Sequence, residues 1–110
     1  MKKVDIENSK SPNFIGCWYL EDKNISNDII DFFENNKSLQ KKGSTAKGVE
    51  ENRKKSTDIT ISPNKLSDPK YKVFQNYFLE LQKCFVDYRD QWPFVKQFLT
   101  KVNVGPFNLQ

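Results

Sequence analysis

An α+β fold is the class this sequence predicts, and three observations predict it. Phe14-Ile15-Gly16-Cys17-Trp18-Tyr19-Leu20 is a compact run of aromatic and β-favouring residues, too short for a helix and broken by a glycine. Between Pro69 and Gln91 the apolar residues Tyr71, Phe74, Phe78, Leu81, Phe85 and Tyr88 step by three and four, the spacing of one helix face. Short β-prone stretches stand before and after that helix, at residues 57–61 and 102–109. The order is strand, helix, long loop, strand, long helix, strand, with the helices gathered on one side of an incomplete sheet.

Taken in order, residues 1–12 are polar, lack periodicity and end in Ser11-Pro12, which predicts a frayed N-terminal arm ahead of a domain over 13–110. Residues 14–20 are the first expected strand, and Glu21-Asp22-Lys23-Asn24 turns the chain towards a helix. Ser26 is the expected cap of that helix, over about 27–36, since its hydroxyl can accept from a free amide while Asp28 and Asp31 sit near the positive helix end. Ile25, Ile29, Ile30, Phe32 and Phe33 supply its apolar face. From Ser38 to Arg53 no apolar period survives and small polar residues dominate, so a long loop is expected.

Thr57, Ile59, Thr60 and Ile61 bring β-branched side chains to a strand that Ser62-Pro63-Asn64 ends. Asp68-Pro69 then starts the long helix, the carboxylate capping and the proline giving up an amide that would lack a partner anyway. The ring stripe of that helix, widened by Val73, Tyr77 and Cys84, is expected to face a core. Pro93 disfavours helical geometry at Trp92 and ends it near Gln91. Residues 94–99 form a short turn or helical piece, and Val102, Val104, Phe107 and Leu109 lie in a last strand bent at Gly105-Pro106. There Phe107 and Leu109 point to one side, Asn108 and Gln110 to the other.

Composition limits the function classes. The chain has 110 residues, a formal charge of +4 and no histidine. Without histidine there is no Ser-His or Cys-His pair and no iron site of two histidines and a carboxylate. Cys17 and Cys84 are far apart and have nothing to complete a zinc site, so a reduced, intracellular pair is expected. Asp28, Asp31, Glu34, Asp87 and Asp90 sit where caps and solvated faces put carboxylates. No phosphate-cradling glycine motif is present. Met1-Lys2-Lys3 lacks the apolar run of a signal peptide, and no stretch approaches the roughly 20 apolar residues of a membrane span, so a cytoplasmic protein without membrane contact is expected.

Charge is concentrated. Lys37, Lys41, Lys42, Lys47, Arg53, Lys54 and Lys55 face only Glu50 and Glu51 between positions 37 and 55. Such a stretch can hold phosphates, which makes nucleic acid or another acidic partner an alternative reading, a complete small binding protein of phage type. Its glycines, serines and threonines favour a solvated loop instead. Sixteen lysines against two arginines, with abundant asparagine and phenylalanine, fit a coding sequence rich in adenine and thymine.

The expected strand at 14–20, the helix after it, the Lys55-Ser56-Thr57-Asp58 run before a strand, the 69–91 helix and the final Asn108-Leu109-Gln110 together resemble the N-terminal half of 2-oxoglutarate- and Fe(II)-dependent oxygenases. The likeness is to the prolyl-4-hydroxylase-like branch, including small marine bacterial and phage versions. It implies helices that support the first strands of a double-stranded β-helix, or jelly roll, incomplete in these residues. It also implies that Lys55, Ser56 and Asp58 lie near an active-site mouth, and that Asn108 and Gln110 belong to the strand leading to a His-x-Asp iron motif. That motif, the distal histidine and the basic residue for the 2-oxoglutarate carboxylate have no counterpart here, so no metal or cosubstrate ligand carries over. The resemblance thus implies an N-terminal fragment of a dioxygenase, catalytically silent alone, whose partner is the remainder of its own domain and whose substrate is unknown. A sheet left open at its last strand is expected to be marginal or aggregating.

Overall fold

The computed structural model describes residues 2–6, 14–53, 55–99 and 103–110. Within them a three-stranded antiparallel sheet is covered on one face by two helices, and a two-residue hairpin ladder straps the longer helix from outside. Mixed helix and strand is therefore the architecture, as the patterning predicts.

Helix α1, Asn24–Asn35, starts earlier than expected. The Asn24 N–H donates to the Asp22 carboxylate at 2.9 Å, so the acid of the preceding turn meets the helix start and Ser26 lies inside the first turn, making no cap. Its C-terminal carbonyls are met by amides: Asn36 Nδ2 donates to the Phe32 carbonyl at 2.7 Å and Gln40 Nε2 to the Phe33 carbonyl at 2.9 Å. Ile25 and Phe32 are buried while Ile30 points out, so the inner face is narrower than the run of isoleucines suggests.

The expected structureless loop at 38–53 is corrected. A 3₁₀ turn at Lys37–Leu39 leads into strand β3, Lys41–Lys42, which pairs antiparallel with β4, Thr57–Ile61, in the register Lys41↔Asp58 and Lys42↔Thr57. Between them Thr45 and Gly48 exchange backbone hydrogen bonds of 2.7 and 3.0 Å around a tight turn, and Gly48 has φ 101°, the left-handed region that glycine enters without steric cost. The Thr45 hydroxyl donates to Glu50 at 2.6 Å and Lys42 reaches Glu51 at 2.8 Å. Turn chemistry organises this segment, which is why hydrophobic periodicity could not find it.

Strand β5, Phe107–Leu109, pairs antiparallel with β4 as Ile59↔Leu109, Thr60↔Asn108 and Ile61↔Phe107. The chain between 61 and 107 is the helical layer. A 3₁₀ segment at Pro63–Ser67 and another at Pro69–Tyr71 precede helix α2, Lys72–Gln91. Asp68 caps the 3₁₀ turn and not α2 itself: its Oδ1 accepts the Lys70 N–H at 2.9 Å with Pro69 just inside, and the α-helix begins only at Lys72, later than the expected start at Pro69. Trp92 leaves helical geometry before Pro93, and a short helix α3 follows at Pro93–Lys96.

The core is a ring cluster between helices and sheet. Phe74, 1% exposed, stands edge-on to Phe32 with centroids 4.9 Å apart and lies 5.5 Å from Phe107; Tyr71 is 5.3 Å from Phe32. Ile59 and Ile61 close it from the sheet, and Phe78 meets Phe107 edge-on at 5.1 Å. Burial of each such side chain stabilises by about 1.5–3 kcal/mol. The rings that bind the layers thus come from the first half of α2.

The second half of α2 departs from expectation. Leu81 is 45% exposed, and Phe85 and Tyr88 are only half-buried, so the stripe does not face a closed core along its length. A neighbouring face is buried instead, at Glu80 and Cys84, by the N-terminal segment. There strand β1, Lys2–Lys3, pairs with β2, Trp18–Tyr19, as Lys2↔Tyr19 and Lys3↔Trp18. Of the expected 14–20 strand only those two residues form a ladder, and within the expected frayed arm Lys2 and Lys3 are paired; residues 7–12, like Val102, lie outside the described residues. Gly16 sits against the Trp18 indole so closely that any Cβ would collide with the ring. The radius of gyration is 16.9 Å, against about 13 Å for a compact domain of this length, and Leu79, Leu81 and Val86 of α2 are exposed.

Candidate functional site

Strand β4 carries two faces. Ile59 and Ile61 point to the helices, and Ser56, Asp58 and Thr60 alternate to the other side. Register then collects polar groups there from the neighbouring strands. Asn108 lies opposite Thr60, whose Oγ1 donates to Asn108 Oδ1 at 2.7 Å, and the same register carried one residue further sets Gln110 opposite Asp58. Lys41 lies opposite Asp58 on β3. Ser56 Oγ donates to Asp58 Oδ1 at 2.8 Å, and Asp58 is 7% exposed, a carboxylate held in place by the hairpin.

Four of the five residues singled out in the sequence, Ser56, Asp58, Asn108 and Gln110, therefore belong to one polar sheet face. Lys55 does not join them: it is exposed on the approach to β4, one residue out of phase. Lys41 and Thr60 are the members that sequence reasoning missed. Thr60 was legible from the period of two, but Lys41 required knowing that β3 exists and how it pairs.

This face offers hydroxyls, carboxamides, one carboxylate and one ammonium. It can orient a polar molecule by hydrogen bonds, and its one hydroxyl–carboxylate pair is Ser56 on Asp58. Among the described residues no three His, Cys, Asp or Glu side chains come together as a metal site. The residues present therefore do not fit an Fe(II) centre, and no chemical step is routed through iron here.

A second polar cluster lies on α2 beneath the N-terminal strap. Glu80 accepts from Lys83 Nζ at 3.2 Å and from the Glu21 N–H at 3.4 Å, and Lys83 also reaches Glu21 at 3.8 Å. The hydrogen bond from Lys83 holds the Glu80 carboxyl below its ordinary range, and Glu80 in turn raises Lys83. Burial pushes the adjacent Cys84 thiol up, with the Glu80 charge adding to the effect. Trp18 Nε1 donates to Asp87 at 2.6 Å, and the Tyr88 hydroxyl donates to the Phe14 carbonyl at 2.9 Å. Phe14 has φ 56°, uncommon for a bulky residue, and is held there by that bond and by the Trp92 ring at 5.8 Å. These contacts fasten the strap. They explain Asp87 as a structural acceptor; Asp28, Asp31 and Glu34 are exposed on α1, and Asp90 pairs with Lys96 at 3.5 Å.

Of the basic run, Lys37 pairs with Glu34 at 3.7 Å and Lys42 with Glu51 at 2.8 Å. No helix among the described residues is long and apolar enough to cross a membrane. Comparison of the chain with family models, with curated proteins and with solved structures gives no match.

Proposed function

We propose that this chain is the N-terminal portion of a 2-oxoglutarate- and Fe(II)-dependent oxygenase domain of the prolyl-4-hydroxylase-like branch, serving as the helical support and first strands of a jelly roll. The observation that carries the reading is the division of the sheet into two faces. Helices α1 and α2 pack one face through Phe32, Phe74 and Phe107, while Ser56, Asp58, Thr60, Asn108 and Gln110 line the other with polar groups. A jelly roll with an inward polar pocket and an outer helical layer requires that division.

In this reading the chain contributes position rather than chemistry. The polar face would line a pocket for an unidentified substrate, and the iron and 2-oxoglutarate ligands belong to the remainder of the domain. The nucleic-acid reading has less behind it, because two of the lysines it needs are engaged with Glu34 and Glu51. Calorimetric titration of the 110-residue chain with Fe(II) and 2-oxoglutarate under anaerobic conditions tests the assignment. No saturable heat is expected from either; tight, stoichiometric binding of both would place the ligands within these residues and overturn it.

A further inference from the structure

Two features of the molecule meet at one place. Strand β5 pairs with β4 along one edge, and among the described residues no strand lies along its other edge. Next to it, the second half of α2 leaves a groove of about 840 Å³ lined by Phe78, Leu81, Phe85 and Val104, with Trp18 and Leu20 of the strap as its far wall. Phe78 joins the two, touching Phe107 of β5 and opening the groove.

We infer that the groove and the β5 edge form a single acceptor for one extended segment of alternating apolar and polar residues, the strand that continues this sheet. The inference rests on the reading that these strands begin a larger β-domain, and it specifies how the next strand must be built. Pairing sets its hydrogen bonds. The Gly43 N–H donates to the Ser56 carbonyl at 2.8 Å, so Ser56 and Asp58 direct their backbone groups to β3, and alternation turns those of Ile59 and Ile61 to Leu109 and Phe107. The N–H and C=O of Asn108 then point to the open edge. Pro106, two residues before, has no N–H to donate, so only its carbonyl can take part in pairing there.

The same alternation sets the side chains. The incoming residue opposite Asn108 lies on the polar face, and its two neighbours turn towards α2, where they meet Leu81 and Phe85. The exposure of Leu81, 45%, and of Val104, 38%, is surface that such a strand would cover.

A fluorescein-labelled octapeptide alternating valine and threonine, with two terminal lysines for solubility, is the probe. Anisotropy is read on the whole chain, together with amide hydrogen exchange at Asn108. The expected result is saturable binding that slows exchange at Asn108. It should weaken at least tenfold when the peptide is N-methylated at alternate amides or when Leu81→Lys places a charge in the groove. Binding indifferent to N-methylation, an apolar molecule in the groove without protection of Asn108, no binding at all, or protection of Asn108 by self-association of the chain would each overturn the inference. None of these outcomes involves iron or the coding frame past Gln110, so a failure here is distinguishable from failure of the oxygenase reading.

Discussion

Replacement of Phe74 by alanine measures whether the first half of α2 alone holds the layers together. Its ring is 1% exposed and meets Phe32 at 4.9 Å, Phe107 at 5.5 Å and Tyr71 at 6.4 Å, so truncation removes contacts to α1, to β5 and to its own helix start at once. A buried Phe→Ala change costs about 3–5 kcal/mol. Stability of a domain this size is about 5–15 kcal/mol, and a core this small places the chain at the low end. With a urea dependence of about 2 kcal/mol/M, the midpoint should fall by about 2 M, or the folded baseline should vanish. Leu81→Ala, on the same stripe two turns later, begins 45% exposed and should cost less than about 1 kcal/mol. Urea denaturation followed by far-ultraviolet circular dichroism gives both values. Equal shifts, or a larger one for Leu81, would refute the division of α2 into a core half and an uncovered half.

Two further outcomes follow from the cluster under the strap. Glu80 is held below its ordinary value of 4.5 in the folded chain, so its contribution is present in full above that value and is lost as pH falls through the lowered one. The difference in urea midpoint between the native chain and Glu80→Gln should therefore shrink between pH 6 and pH 3; a difference that stays constant would contradict the Lys83 hydrogen bond as its source. Cys17 is exposed and Cys84 buried with its thiol pushed up, so at pH 8 a thiol-reactive chromophore should modify Cys17 quickly and Cys84 only after denaturant is added. Equal rates at both thiols would show that the strap does not close over α2.

What the sequence made legible is what depends on local rules. Asp68-Pro69 announces a helical turn because cap and missing amide act within four residues, though that turn is 3₁₀ and α2 follows it from Lys72, and Pro93 announces the end of α2 by an equally local rule. The β-branched residues of 57–61 correctly place a strand there. Ser26 misled because the Asp22 carboxylate, one turn earlier, reaches the Asn24 amide first. The 38–53 segment misled because β3 is two residues long and is defined by its partner and by Gly48, not by a pattern of its own. The ring stripe of α2 misled differently: helical spacing shows that a face is apolar but not how much of it finds a partner. The polar sheet face was half legible. Ser56, Asp58, Asn108 and Gln110 are separated by some fifty residues, and only the β4–β5 register brings them together with Lys41. Glu80 left no signal, since a glutamate between apolar residues of a helix reads as solvated until the N-terminal strap is seen to cover it.

Reading the coding frame beyond the codon for Gln110 tests the central claim most directly. If the chain is the N-terminal portion of an oxygenase domain, the frame continues, with a tyrosine and a His-x-Asp pair within about one or two dozen codons, the spacing that the resemblance to the oxygenase family implies. A stop codon immediately after Gln110, in the natural gene, would contradict it.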